Sequence, residues 1–197
     1  MPPIIDIFKI PVYEAKLDLD IKKLELFCNS YKKISEMNGN EGRFLSNMGG
    51  YQTYDMSLDI PDTQPLIKEI EEHASNFAKE FINPNKQVID NMWVSINGYK
   101  DCNMPHNHPD TDIAGVFYIK TPKDCGWLTM QHPALDVLNY YVIDRKIAKY
   151  NNYNSSLWNL KPSANTLYLF PAWVMHYVSQ NLSEEKRISI SFNTRGQ

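Results

Sequence analysis

The chain of 197 residues has only three cysteines, Cys28, Cys102 and Cys125, and no CxxC pair. An odd, scattered set argues against a disulfide framework and against a thiolate zinc site, and it fits a reducing cytoplasm. An excess of either charge is missing as well, since 20 Lys and Arg stand against 23 Asp and Glu for a net charge of -3. There is therefore no general electrostatic attraction to nucleic acid. No apolar run approaches the roughly 20 residues needed to cross a bilayer. The apolar start MPPIIDIFKI is interrupted by Asp6 and Lys9 before the hydrophobic stretch of a signal peptide could form. Internal repeats and low-complexity boundaries are absent too. One domain over residues 1–197 is expected, cytoplasmic and with neither membrane nor nucleic acid as a partner.

What is present is an ordinary globular balance, 43% hydrophobic and 22% charged residues, arranged in two periodicities. Residues 4–13 read as an edge strand broken by Pro11. Asp20 can cap a helix in which Ile21, Leu24, Phe27, Tyr31 and Ile34 recur at helical spacing and Asn38-Gly39 marks the end. A second helix over 65–82 carries Leu66, Ile70, Ala74, Phe77 and Phe81 on one face, closed by Asn83-Pro84. Between them, residues 42–58 read as a loop leading into a short strand. From Gln87 onward strands dominate, at 91–97, 113–119, 127–130, 166–170, 176–179 and 187–193. Residues 136–163 read as a strand followed by an insertion, partly helical over 142–150. Two helices followed by short strands predict an α+β protein, a β-sandwich or barrel (87–197) braced by a helical support region (1–86).

The chemistry concentrates in two stretches. In PHNHPDTDIAGVFYI, residues 105–119, His106, His108 and Asp110 lie two apart, so on an extended backbone all three project to one side as a metal half-site. The stretch HYVSQNLSEEKRISISFN, residues 176–193, adds His176. Two histidines and a carboxylate with open positions left over is the arrangement expected of non-haem Fe(II) oxygenases. On the last strand Ile188, Ile190 and Phe192 face one way, and Arg187, Ser189, Ser191 and Asn193 the other. If that face is buried, the arginine needs an anion, and a small-molecule carboxylate matches its fork, with Ser189 adding a third hydrogen bond; on a solvated edge strand it would be a surface charge. A turn over 181–185 would make 176–193 a hairpin with its two strands side by side. Strand 91–97 likewise sets Trp93, Ser95 and Asn97 opposite Met92, Val94 and Ile96. Single residues take plainer roles: His73 and His132 structural, Trp93 and Trp173 core aromatics, Cys102 inert, Asp112 a turn residue.

Taken together, His108-Pro109-Asp110, His176 and Arg187-Ile188-Ser189 resemble the HxD, distal His and RxS pattern of the 2-oxoglutarate- and Fe(II)-dependent oxygenases. PHNHP ahead of a strand containing Phe117-Tyr118, and SNMGGYQT over 46–53, are similar to the phage and bacterial branch of that superfamily. The resemblance is clearest from Trp93 to Asn193. It implies a double-stranded β-helix (jelly-roll) with Fe(II) held by His108, Asp110 and His176. It also implies 2-oxoglutarate held at its far carboxylate by Arg187, Ser189 and Tyr118, with Asn97 counted among the cosubstrate contacts. The implied activity is an oxidoreductase, a dioxygenase coupling decarboxylation of 2-oxoglutarate to succinate with hydroxylation of a peptide or small-molecule substrate, a prolyl or other amino-acid residue among them. His106 is the alternative third ligand, because the PHxHP branch keeps its two histidines better than the carboxylate; the charge of Asp110 favours the carboxylate. Two other classes stand beside this one: a cupin-like metal- or sugar-binding jelly-roll without 2-oxoglutarate chemistry, and a cosubstrate-independent dioxygenase or isomerase, which three histidines would favour. The substrate is not written in the sequence, and a homodimer stays open.

Overall fold

Strict alternation in the two longest strands sets the architecture. The computed structural model describes residue 5 and residues 7–82, 86–142 and 149–197, of which Tyr141 and Val142 are described by their backbone alone. In chain order the elements are β1 (Tyr13–Lys16), α1 (Ile21–Met37), β2 (Asn47–Met48), β3 (Tyr51–Gln52), α2 (Gln64–Ala78), β4 (Gln87–Asn97), β5 (Cys102–His106), β6 (Ile113–Lys120) and β7 (Leu128–Gln131), then α3 (Leu135–Val142), β8 (Leu157–Leu160), β9 (Thr166–Pro171), β10 (His176–Val178) and β11 (Arg187–Gly196). The larger sheet has the order β1-β9-β6-β11-β4-β3 and the smaller β2-β5-β10-β7-β8. From β4 to β11 the chain passes repeatedly between the sheets, with β4, β6, β9 and β11 in one and β5, β7, β8 and β10 in the other. That winding is the double-stranded β-helix, or jelly-roll, and with its helices the chain is α+β.

The aliphatic faces of β4 and β11 point away from the smaller sheet. Met92, Val94, Ile96, Ile188, Ile190 and Phe192 pack in one core with Leu24 and Cys28 of α1 and Leu66, Ile70, Ala74 and Phe77 of α2. The two helices thus brace the outer face of the larger sheet, as their apolar stripes require. Asp20 caps α1 by accepting from the Lys23 backbone N–H at 3.0 Å. Ile34, expected on the buried stripe, is instead 60% exposed. A second core lies between the sheets, where Val116, Tyr118, Tyr168 and Phe170 meet Leu128 and Met130.

Several expectations are corrected by the topology. Residues 176–193 are not a hairpin: β10 pairs with β5 and β7, while β11 pairs with β4 and β6, so the connection crosses from one sheet to the other. The Asn181 side chain builds that crossing, donating to Asn97 O at 3.0 Å and Glu185 O at 2.8 Å. Among the described residues the first strand is Tyr13–Lys16, pairing with β9 at the sheet edge, and of the strand expected over 4–13 residues 5 and 7–12 are not in one. Within 136–163 the helix comes first and the strand second; the helix expected over 142–150 and the stop at Asn83-Pro84 lie largely outside the described residues. Residues before Gln87 contribute β1 and β3 to the larger sheet and β2 to the smaller, besides the helices. Among the described residues no helix is long and apolar enough to cross a membrane.

Candidate active site

Three imidazoles meet at one end of the space between the sheets. His176 opens β10 and stands directly across from His106, the last residue of β5. His108 follows two residues later, where its backbone N–H donates to Ala172 O at 2.9 Å and draws the chain toward the larger sheet. One ligand nitrogen from each of His106, His108 and His176 lies within 4.8 Å of the others. Asp110, favoured from sequence as the third ligand, is not in this group. It is exposed and has a φ of 61°, and its backbone oxygen accepts from Arg195. The extended spacing that would have aligned 106, 108 and 110 ends at Pro109-Asp110, which form a turn; Asp tolerates the left-handed region there. His106, the alternative, occupies the position beside His108 and His176.

Hydrogen bonding fixes which nitrogen of each ring is free. His106 Nδ1 faces Met104 O at 2.7 Å, His176 Nδ1 faces Val174 O at 2.9 Å, and His108 Nδ1 faces Asn193 Oδ1. Carbonyl oxygens only accept, so each Nδ1 carries the proton and each Nε2 keeps its lone pair. Burial pushes the pKa of His176 down to about 3 and that of His108 to about 4, and lowers that of His106. Neutral imidazoles are the form a metal needs. Trp93 stacks over His108 with centroids 5.9 Å apart, and the Arg43 guanidinium sits 4.9 Å from the Trp93 ring centroid. With its carboxamide oriented to satisfy its neighbours, Gln52 accepts from Arg43 Nε at 3.1 Å and Trp93 Nε1 at 3.2 Å. Trp93 is buried, as expected of a core aromatic, but its neighbours are the site; Trp173 is 53% exposed and does not fill a core.

Opposite the histidines, the polar faces of β4 and β11 form a floor. Register sets Arg187 beside Asn97 and Ser189 between Ser95 and Tyr118. All five line, together with the three histidines, one cavity of about 550 Å³ including its mouth. Arg187 is 1% exposed, and its Nη1 donates to Cys125 O and to Ser179 O. Arg187 Nη2 and the Tyr118 hydroxyl are buried with no hydrogen-bond partner among the described residues. Burial lowers the pKa of Arg187 and raises that of Tyr118, so the cavity presents a cation and a neutral phenol donor. A desolvated guanidinium with an open donor costs several kcal/mol unless an anion completes it, and a carboxylate would take both free donors at once. Metal-ready nitrogens at one end and a carboxylate cradle at the other fit a 2-oxo dicarboxylate chelating a metal ion.

Some contributors carried little sequence signal. Gly126 has φ +90°, and a Cβ there would fall 2.9 Å from Arg187 Nη1 and closer still to Ser179 O. Only glycine leaves room for the guanidinium in that turn. Gly126→Ala is expected to destabilise the fold by more than about 1 kcal/mol and to weaken 2-oxoglutarate binding; a thermal melt and a binding titration check both. Asn91 and Arg43 were likewise unmarked and Gln52 was marked only as part of SNMGGYQT, because their roles depend on partners elsewhere in the chain.

The sequence pattern of a 2OG-Fe(II) oxygenase family matches residues 91–193. No curated protein sequence matches the chain. Among solved structures, a prolyl-4-hydroxylase from Pseudomonas putida is similar with a TM-score of 0.64 and 11% identity over 95% of this chain and 94% of that one. The viral collagen prolyl hydroxylase of Paramecium bursaria Chlorella virus-1, in complex with 2OG, gives 0.59 and 14% over 94% and 96%. HygX from Streptomyces hygroscopicus, with nickel and 2-oxoglutarate bound, gives 0.63 and 10% over 95% and 84%. At these identities the structural likeness speaks for the fold.

Proposed function

The chain belongs to the 2OG-Fe(II) oxygenases, and from that premise we propose that it couples decarboxylation of 2-oxoglutarate to hydroxylation of an amino-acid residue, prolyl among them, with His106, His108 and His176 as the iron ligands. One observation carries this: two orphaned buried donors, Arg187 Nη2 and Tyr118 OH, share a cavity with three histidines whose Nε2 atoms are free. Three histidines alone would also suit a cosubstrate-independent dioxygenase; the open arginine favours a carboxylate-bearing cosubstrate. The fold is shared with two prolyl hydroxylases and equally with an epimerase and a carbocyclase of nogalamycin biosynthesis; a residue within a peptide is the reading taken from the former pair.

Fe(II) and 2-oxoglutarate supply the oxidising chemistry, in which dioxygen is consumed and succinate and CO₂ are formed. The protein binds, orients and keeps water out. Arg187, with Nη1 already anchored to the Cys125 and Ser179 carbonyls, has Nη2 left to hold the far carboxylate. Tyr118 would donate a second hydrogen bond to it and Ser189, its cross-strand neighbour, a third. Asn97 borders the same end of the cavity. Phe170, edge-on to His176 at 4.6 Å, and Trp93 over His108 wall the metal end against solvent.

Two measurements test this proposal. Protein supplied with Fe(II), 2-oxoglutarate and air should form succinate and CO₂ one for one, slowly alone and faster with an accepted peptide; no succinate above the metal-free control would overturn it. His106→Ala should lower Fe(II) affinity by more than the ten- to hundredfold typical of an outer partner, about 3 kcal/mol or more. Asp110→Ala should leave Fe(II) affinity within a few fold. Reversed severities would return the third ligand to Asp110.

A further inference from the structure

Two of the three imidazoles are oriented by their own backbone neighbours. His106 and His176 each donate Nδ1–H to the carbonyl two residues earlier, an acceptor that no side-chain substitution removes. His108 is held differently. Its Nδ1 partner is Asn193 Oδ1 on β11, and Asn193 Nδ2 donates in turn to Asn91 Oδ1 on β4 at 2.8 Å. Asn193 and Asn91 are direct partners in the β11–β4 register, so this relay is built into the middle of the larger sheet.

A carboxamide has two unlike ends, one accepting and one donating. Were the Asn193 amide turned over, its NH₂ would face His108 Nδ1, which would then have to accept. The ring proton would move to Nε2, the nitrogen needed for ligation. Asn91 Oδ1 opposes that turn by holding Asn193 Nδ2. We propose that Asn193, anchored by Asn91, is the positioning residue that sets the Nδ1–H tautomer of His108 and thereby frees its Nε2 for the metal. This rests on His108 being an iron ligand; the tautomer itself can be read without any metal.

The test is long-range proton–nitrogen NMR on the metal-free, ¹⁵N-labelled full chain, together with Co(II) titration. Wild type should show His108 as the Nδ1–H tautomer. Asn193→Leu, similar in volume but without an acceptor, should give a tautomer mixture and lose about ten- to a hundredfold in Co(II) affinity. Asn193→Asp restores an acceptor and should keep both the tautomer and the affinity within a few fold of wild type. If Asn193→Leu does not fold, Asn91→Leu carries the same test through the freed Asn193 amide, again with a mixed tautomer expected. An Nε2–H tautomer in wild type, or equal losses in Asn193→Leu and Asn193→Asp, would overturn the relay. His108→Ala separates the two levels. If it loses Co(II) while Asn193→Leu retains full affinity, the relay fails and the ligand assignment stands. If His108→Ala itself retains full affinity, the ligand assignment fails and takes the relay's role in ligation with it.

Discussion

His176→Ala is expected to abolish both metal binding at micromolar concentration and succinate formation. His176 is 5% exposed and sits on β10 between β5 and β7, with ring centroids 4.4 Å from His106 and 5.1 Å from His108. Of the three histidines it is the one that is itself paired on both sides, to β5 and to β7. Among the described residues no further His, Cys, Asp or Glu joins the group to replace it. Two imidazoles, one on a strand end and one on a loop, would remain. Isothermal titration with Fe(II) under anaerobic conditions checks the result, and a thermal melt of the metal-free variant shows whether it still folds. Full occupancy in a folded variant would remove His176 from the site.

Arg187→Lys should raise the 2-oxoglutarate requirement about ten- to a hundredfold, from the loss of a charge-assisted hydrogen bond of roughly 1.5–3 kcal/mol, while metal affinity stays within a few fold. The geometry sharpens the reason. The guanidinium divides its work, with Nη1 on the Cys125 and Ser179 carbonyls and Nη2 without a partner among the described residues, on a residue that lines the cavity with Tyr118. A lysine ammonium is one compact centre at the end of a flexible stem, and it cannot hold both carbonyls and still present a fixed donor to the ligand. Measuring succinate formation against 2-oxoglutarate concentration checks this, and an unchanged requirement would place the cosubstrate elsewhere.

Much of this site was legible because strand alternation is a short-range signal. The split of β11 into Ile188, Ile190 and Phe192 against Arg187, Ser189 and Ser191 is the split between the core under the helices and the cavity. Met92, Val94 and Ile96 against Trp93, Ser95 and Asn97 is the same split on β4. The α1 cap at Asp20 was equally local. What could not be read was long-range pairing. Nothing in SQNLSEEK says whether the chain turns back along its own sheet or crosses to the other, and the crossing rests on Asn181 reaching Asn97, far away in sequence. Spacing alone also put Asp110 level with His106 and His108; a turn at Pro109 lies below the resolution of a period-two pattern. The Asn91–Asn193–His108 relay and the Gly126 opening exist only once β4, β11 and the Cys125 turn are brought together.

The most direct test is the electron density of the protein crystallised without oxygen in the presence of Mn(II), a redox-silent stand-in for Fe(II), and 2-oxoglutarate. The expected density has Nε2 of His106, His108 and His176 on one metal ion, the keto acid end of 2-oxoglutarate chelating that ion, and the far carboxylate on Arg187 Nη2 and the Tyr118 hydroxyl, with Asp110 outside the coordination sphere. A metal carrying the Asp110 carboxylate in place of His106, or a cosubstrate carboxylate that leaves Arg187 Nη2 unpartnered, would contradict the account.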